Sequence, residues 1–245
     1  MFEINGKVAI VTGGASGIGL ATVKAIQEKG GYAVIADYNE LEGKKQAEKL
    51  GVPFIKVNVA NEEEVKAMVE KTVQLYGRLD ILVANAGILR TGSHLEETEK
   101  FRPVVEINLM GVYYCDKYAI EQFEKQGTGG SIVNLSSAAG IKGQAGYPLY
   151  SMTKWGVRGL TKALAVEYMR KGIRVSSVHP GGVQTPMTTT GMTPEQIEIM
   201  LEQCKHVQPL GFAQPEDIAH SIIFAIENEQ LTGTEVIVDG GYTTL

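Results

Sequence analysis

Short apolar runs rich in β-branched residues alternate along the chain with longer segments in which apolar residues recur at helical spacing. The runs predict seven strands, at residues 7–12, 32–36, 53–57, 80–84, 131–135, 173–178 and 235–239. The periodic segments predict helices at about residues 20–29, 39–50, 61–76, 100–125, 150–170, 194–205 and 215–226. Strands that alternate with helices form parallel sheets. The pattern therefore predicts one α/β domain over residues 1–245, a doubly wound, Rossmann-type sheet of seven parallel strands in the order 3-2-1-4-5-6-7, with helices on both faces.

A glycine-rich turn joins the first predicted strand to the first predicted helix. Gly13, Gly17 and Gly19 have the spacing G-x-x-x-G-x-G. Glycine lets the backbone approach a pyrophosphate closely, and the helix N-terminus offers free N–H groups and the positive end of the helix dipole. A turn in this place, between a strand and a helix, favours a dinucleotide site over a tight turn that needs glycine only for its backbone.

Asp37 ends the second predicted strand, eighteen residues after Gly19. A carboxylate near this position typically binds the 2′-hydroxyl of the adenosine ribose, and it would repel a 2′-phosphate. Ala15 leaves the glycine turn without a basic residue for an extra phosphate, so both residues favour NAD over NADP. In the alternative interpretation, Asp37 only caps the helix at residues 39–50.

Tyr150 and Lys154 lie four residues apart, a spacing that places both side chains on one face of a helix. Pro148 suits the first turn of that helix. An ammonium about 4 Å away, worth roughly 4 kcal/mol at an effective dielectric constant of ~20, would lower the pKa of the phenol from ~10 towards ~7. The pair is then a candidate acid/base, and the Ser137 hydroxyl could hold a substrate oxygen beside it. In the alternative, Tyr150 is a surface residue packed on the Lys154 stem.

The helix predicted at residues 100–125 is apolar on nearly every side, whereas a surface helix needs only one apolar stripe. The excess predicts a second buried face, and hence a subunit interface. Asn108 is a polar residue inside this run, and its plainest interpretation is a core amide whose hydrogen bonds are satisfied.

Residues 186–210 are predicted to form a lid over the site. Glycine and repeated threonine favour mobility, and methionine provides an adaptable apolar surface. In the alternative, Met187 and Met200 simply pack onto the core.

Composition narrows the classes of function. The net charge of −5 excludes a basic field for nucleic acid, and no apolar run approaches the length of a membrane span. The N-terminus lacks a signal sequence, and Cys115 and Cys204 have no metal-ligand spacing. We therefore expect a cytoplasmic protein without nucleic acid, membrane or metal partners, in which both cysteines are small buried hydrophobes.

In combination, these motifs resemble those of the short-chain dehydrogenase/reductases, in that family's order and over essentially the whole chain. The resemblance includes the turn at residues 12–19, the motif Asn85-Ala86-Gly87 after strand four, and the ending Val238-Asp239-Gly240-Gly241. The family's catalytic tetrad falls on Asn108, Ser137, Tyr150 and Lys154.

The resemblance implies a role for each member of the tetrad. Tyr150 would be the acid/base, and Lys154 would lower its pKa and hold the nicotinamide ribose. Ser137 would orient the substrate oxygen, and the spacing to the tyrosine favours it over the adjacent Ser136. Asn108 would hold a water that continues a proton relay from Lys154.

The predicted cofactor is NAD, with no metal. The predicted cofactor-binding residues are Gly13, Ser16, Gly17, Ile18, Gly19, Asp37, Asn58, Val59, Asn85, Gly87, Tyr150, Lys154, Pro180, Val183 and Thr185. Two positions depart from the family pattern. Asn58 stands where Asp often reads the adenine edge but can also accept there, and Ala84 replaces a common Asn.

The resemblance implies hydride transfer between NAD(H) and a secondary alcohol or ketone, in a homo-oligomer that is a tetramer in the family. An apolar substrate is expected because no arginine cluster marks a charged one, and segments near residues 154–160 and 178–188 are similar to bacterial hydroxysteroid dehydrogenases. A 3-oxoacyl-carrier-protein reductase is an alternative that Asp37, Ala15 and the acidic charge disfavour. A NAD-binding sensor or scaffold is another, which the complete tetrad disfavours.

Overall fold

The computed structural model describes residues 1–96 and 98–245. Its sheet has seven strands. They are β1 (Val8–Thr12), β2 (Tyr32–Asp37), β3 (Phe54–Lys56), β4 (Ile81–Ala84), β5 (Gly130–Leu135), β6 (Ile173–Pro180) and β7 (Glu235–Val238). All neighbouring strands are parallel, in the order β3-β2-β1-β4-β5-β6-β7. The predicted sheet and its strand order are confirmed.

Helices cover both faces of the sheet. In chain order they are α1 (Gly17–Glu28), α2 (Glu40–Leu50), α3 (Glu62–Tyr76), α4 (Thr98–Val105), α5 (Gly111–Gln126), α6 (Pro148–Tyr168), α7 (Pro186–Thr189), α8 (Pro194–Cys204) and α9 (Pro215–Glu227). Alternate strand residues point to opposite faces, so each strand serves two cores. Ile10 and Leu82 pack with α3, α5 and α6, and Val11 and Val83 pack with α1, α2 and α9.

The long helix predicted at residues 100–125 is interrupted. It consists of α4, a π-helical turn at Glu106–Met110 and α5. A π turn adds one residue to a helical turn and so shifts the face on which later side chains lie. This stretch is apolar on nearly every side, so such a shift leaves no trace in the pattern of apolar residues, and the sequence could not reveal the π turn. Such turns are frequent at functional sites, and this one contains Asn108.

Two other boundaries differ from the prediction. The first helix begins at Gly17 rather than Leu20, so part of the glycine turn is already the first helical turn. The short helix α7 falls inside the predicted lid, where no helix was predicted before Pro194. None of the helices in the described residues combines the length and the apolar character needed to cross a membrane.

Candidate active site

A long cleft lies at the carboxyl edge of the sheet and consists of two adjoining cavities, of about 510 and 470 Å³. The first is lined by the glycine turn and the ends of β2 and β3, and the second by the ends of β5 and β6 and the start of α6. Both share a wall that is made of Ile18, Asn85, Gly87, Ile88, Thr185 and Met187. The carboxyl ends of the parallel strands thus meet at one edge of the sheet.

The glycine turn is packed too closely for side chains. A Cβ on Gly13, whose φ is +64°, would lie 2.9 Å from Nδ2 of Asn85. A Cβ on Gly19 would lie 2.1 Å from the oxygen of Gly13. Gly17 starts α1 and lines the first cavity together with Gly13, Ser16 and Ile18, whereas Gly19 lies behind the turn and lines neither cavity. The glycines thus hold the N–H groups of a helix N-terminus against an open groove.

Asp37 lies at the end of β2 and lines the first cavity. Its Oδ2 accepts a hydrogen bond from the Ala15 backbone N–H at 3.0 Å, and its Oδ1 accepts one from Asn39 at 2.9 Å. The cap of α2 is Asn39, whose side chain accepts from Glu42. The alternative interpretation of Asp37 as the helix cap is therefore wrong, and its carboxylate instead supports the glycine turn at the edge of the cleft.

Asn58 and Val59 also line the first cavity. The side-chain oxygen of Asn58 accepts a hydrogen bond from the Ala60 N–H at 3.1 Å, and its backbone N–H donates to Glu64. The oxygen that was expected to accept from an adenine edge is thus already engaged in a local turn.

Asn85 fixes the shared wall. Its Nδ2 donates to the oxygen of Thr12 at 2.8 Å, and its N–H donates to the Thr12 hydroxyl at 3.0 Å. These bonds tie the end of β4 to the end of β1, and Gly87 follows directly along the same wall.

Ser137, Tyr150 and Lys154 meet in the second cavity. Pro148 starts α6, as predicted, so that Tyr150 lies in its first turn and Lys154 one turn later. Nζ of Lys154 is buried, lies 5.6 Å from the centre of the Tyr150 ring, and donates to the Leu135 oxygen at 2.8 Å. The same cavity wall includes Pro180, Val183 and Thr185.

The prediction that Lys154 lowers the pKa of Tyr150 is wrong for the protein without a bound cofactor. Burial raises the pKa of Tyr150, and the nearby Ser137 hydroxyl offsets this only partly. Burial also lowers the pKa of Lys154, to about 8. The reason is that the ammonium is itself desolvated and is directed to the carbonyl oxygen of Leu135, so it does not stabilise a phenolate across open space.

Asn108 lines neither cavity. Its buried amide pairs with the backbone of Ile88, where Oδ1 accepts from the N–H and Nδ2 donates to the oxygen, both at 2.8 Å. The interpretation of Asn108 as a core amide with satisfied hydrogen bonds is therefore correct for its side chain. Through Ile88, this amide holds the wall that the two cavities share.

The two adjacent serines differ in what their hydroxyls do. Ser136 is buried, and its Oγ donates to the backbone oxygen of Lys154 at 2.9 Å. Oγ of Ser137 accepts from the Ala139 N–H at 3.1 Å and faces the cavity beside Tyr150. This geometry agrees with the choice of Ser137 as the substrate-orienting serine.

Several residues of the second cavity were not singled out from the sequence. They are Leu89, Gln144, Tyr147, Val207, Phe212 and Tyr242. Tyr147 could have been found, because it precedes Tyr150 by one helical turn. Tyr242 comes from the end of the chain, and Lys142 holds it, with Nζ 5.1 Å from the ring centre and 3.4 Å from the backbone oxygen.

The predicted lid contributes to this cavity through Met187, Met200 and Cys204. The two methionines therefore border the site rather than pack only onto the core. Cys204 is half-buried at the cavity, unlike the fully buried Cys115. The expectation that both cysteines are core residues is correct only for Cys115.

Comparison with known proteins places the chain in a family. A family model described as enoyl-(acyl carrier protein) reductase matches residues 13–243. The short-chain dehydrogenase/reductase astE of Aspergillus oryzae is 37% identical over 254 residues, which cover 100% of this chain and 97% of that protein. This chain belongs to the short-chain dehydrogenase/reductases.

Two other members illustrate the range of this family. Cyclohexanol dehydrogenase of an Acinetobacter species is 36% identical over 252 residues, 99% of this chain and 97% of that protein. The ligand-free structure of an aldohexose dehydrogenase from Thermoplasma acidophilum superposes on this chain with a TM-score of 0.91 and 29% sequence identity. The match covers 100% of this chain and 96% of the dehydrogenase chain. This short-chain dehydrogenase/reductase is thus an oxidoreductase whose family uses nicotinamide cofactors.

The cleft of this short-chain dehydrogenase/reductase fits such a cofactor. Gly13 and Gly17 line the groove and would hold the pyrophosphate, the Asp37 carboxylate would face the adenosine ribose, and Tyr150 and Lys154 would lie at the nicotinamide end. When bound, the nicotinamide supplies the hydride acceptor or donor. Within the described part of the chain, no group of three or more His, Cys, Asp or Glu side chains is arranged to hold a metal ion.

Proposed function

We propose that the enzyme transfers a hydride between NAD(H) and a secondary alcohol or ketone on an apolar ring, with Tyr150 as the acid/base. The observation that carries this proposal is the convergence of Ser137, Tyr150 and Lys154 on a cavity that adjoins the glycine-turn groove. A proton leaving the substrate hydroxyl would pass to Oη of Tyr150, while the Ser137 hydroxyl holds the substrate oxygen. Lys154, whose Nζ donates to the Leu135 oxygen, would hold the nicotinamide ribose.

A ring-shaped apolar substrate is supported by the walls of the second cavity. Tyr147 and Tyr150 meet edge to face with ring centres 6.3 Å apart, and Phe212 and Tyr242 also line the cavity. Flat aromatic faces and the flexible Met187 suit an alicyclic ring better than a long polar chain. The relative that is named for cyclohexanol is consistent with this choice.

The test is a rate screen at 340 nm, with NAD and NADP in parallel against alicyclic, aliphatic, aryl, steroid and sugar alcohols, and with NADH and NADPH against a 3-oxoacyl thioester. Turnover of an alicyclic alcohol with NAD would support the proposal. Activity restricted to 3-oxoacyl thioesters with NADPH would replace it with the acyl-carrier reductase alternative. NAD binding by calorimetry without any turnover would support a sensor or scaffold.

The preference for NAD is expected to depend on Asp37. Asp37→Asn removes the charge that would repel a 2′-phosphate. It also gives up one of the two backbone hydrogen bonds of the carboxylate, a loss that both cofactors share, so the ratio of kcat/KM for NAD to that for NADP should still fall by about 100-fold. Glu40→Gln is a matched control, because Glu40 lies nearby in α2 but pairs with Lys44 and Lys56 outside the cleft. An unchanged ratio in Asp37→Asn would contradict the assignment.

The enzyme is also proposed to be a cytoplasmic homo-oligomer. Apolar side chains remain exposed on α5 and α6, where Tyr113, Met152 and Trp155 are 44%, 49% and 45% exposed. The two helices are in contact with each other. We expect light scattering at micromolar concentration to give a multiple of 26.5 kDa, and Trp155→Glu to shift the mass towards the monomer. A monomeric wild-type protein would contradict the proposal.

A further inference from the structure

His179 connects the two segments that frame the second cavity, although neither the sequence motifs nor the comparisons give it a role. It is fully buried near the end of β6, directly before the cavity residue Pro180. Its Nδ1 lies 3.2 Å from the backbone oxygen of Ser137, and its Nε2 lies 2.8 Å from Oγ of Ser177.

These contacts determine which ring nitrogen of His179 carries the proton. The carbonyl oxygen of Ser137 can only accept a hydrogen bond, so Nδ1 must be the donor. Nε2 is then an acceptor, and the Ser177 hydroxyl donates to it. Burial lowers the pKa of His179, which favours the neutral ring that this arrangement requires.

The imidazole ties the backbone oxygen of Ser137 to β6, whereas the other backbone partners of Ser137 in the described part of the chain lie in the segment that follows it. The oxygen of Ser137 also accepts from the Gly140 N–H at 2.8 Å, and its Oγ accepts from the Ala139 N–H at 3.1 Å. Both of these partners belong to the turn that Ser137 starts, so they move with it. His179 is anchored in β6, so its bond ties the Ser137 peptide to the rigid sheet.

We propose that His179 is a positioning residue that holds the Ser137 peptide so that the serine hydroxyl faces the substrate oxygen beside Tyr150. The inference rests on the proposed role of Ser137. Pro180, the next residue in the chain, lines the same cavity. A displacement of about 1 Å at such a group can cost up to about 100-fold in rate.

Three substitutions separate the hydrogen bond from the bulk of the ring. The amide of His179→Asn can place an N–H near Nδ1, that of His179→Gln places it near Nε2, and His179→Leu has none. We expect kcat to fall by about 10- to 100-fold in the Leu and Gln variants and to be largely restored in the Asn variant, with NAD affinity by calorimetry unchanged. Ser176→Ala is the control, because this buried hydroxyl lies on the other face of β6 and donates to Leu231.

A double-mutant cycle tests whether His179 acts through Ser137. If it does, His179→Leu combined with Ser137→Ala should have the kcat of Ser137→Ala alone. Losses that multiply, or wild-type kcat in both the Leu and Gln variants, would overturn the inference. Should the Leu variant fail to fold, the Asn and Gln pair decides, since equal rates in those two also overturn it. Full activity of Ser137→Ala would instead overturn the proposed role of the serine, so the two failures are distinguishable.

Discussion

Tyr150→Phe is expected to lower kcat by about 1,000-fold, because it removes the only phenolic oxygen proposed to exchange a proton with the substrate. The ring of the variant can still pack edge to face with Tyr147, so the cavity should keep its shape. NAD binding, measured by calorimetry, should therefore be retained. Steady-state kinetics at 340 nm with the best alcohol from the screen give the measurement.

The pH profile provides a second readout of the same residue. Because burial raises the pKa of Tyr150, the phenol of the free enzyme is protonated at neutral pH, and kcat/KM for alcohol oxidation should rise with pH as the phenolate forms. Ketone reduction needs the protonated form and should fall over the same range. The residual activity of Tyr150→Phe should lack this dependence.

Tyr147→Phe is the matched variant, since it removes a hydroxyl from the same cavity one helical turn earlier. It is expected to alter KM for the alcohol rather than kcat. Activity of Tyr150→Phe within about tenfold of the wild type, or equal losses in both variants, would be incompatible with Tyr150 as the acid/base.

The parts of the site that could be predicted from sequence depend on local chain features. Gly13 and Gly17 are packed too closely for side chains, and their spacing after the first strand located them. Asp37 was located by the predicted end of β2 and its distance from the glycine turn. Tyr150 and Lys154 share a helix face because of their spacing. Parallel strands bring their ends to one edge, which is why these separate motifs meet.

The parts that could not be predicted depend on contacts between distant segments. Burial raises the pKa of Tyr150, and the Lys154 ammonium is directed to the carbonyl oxygen of Leu135 rather than to the phenol. Tyr242 reaches the cavity because Lys142 and Asp239 hold the end of the chain there. His179 lies in a buried strand, and nothing in the sequence indicates its bond to Ser137.

Asp116 is a further residue that sequence periodicity did not reveal, and its charge state has a measurable consequence. It is fully buried on α5, where Nδ2 of Asn134 donates to its Oδ2 at 2.9 Å and to Oγ1 of Thr161 at 3.1 Å. Among the described residues, Oδ1 of Asp116 and Oδ1 of Asn134 are both buried without a hydrogen-bond partner. A proton on Oδ1 of Asp116 would supply the donor that an acid–amide pair needs.

The buried carboxyl makes stability depend on pH. Burial raises the pKa of Asp116 from 3.8 to about 8. Between these values the folded state holds a proton that the unfolded state has lost, so the free energy of unfolding falls as pH rises through this window. The contribution of Asp116 to the free energy of unfolding is therefore most favourable below pH 4 and is fully lost above pH 8.

Asp116→Asn should remove this dependence without breaking the pair, because its amide can donate to Oδ1 of Asn134 and accept from Nδ2. At pH 8 we expect the variant to be more stable than the wild type by roughly 3 kcal/mol, and the difference should shrink towards pH 5. Urea unfolding at several pH values measures it, with the exposed Glu70→Gln as the control for loss of one negative charge. If the free energy of unfolding changed with pH in the same way for Asp116→Asn and the wild type, Asp116 would be ionised in the folded state. That result would contradict the prediction.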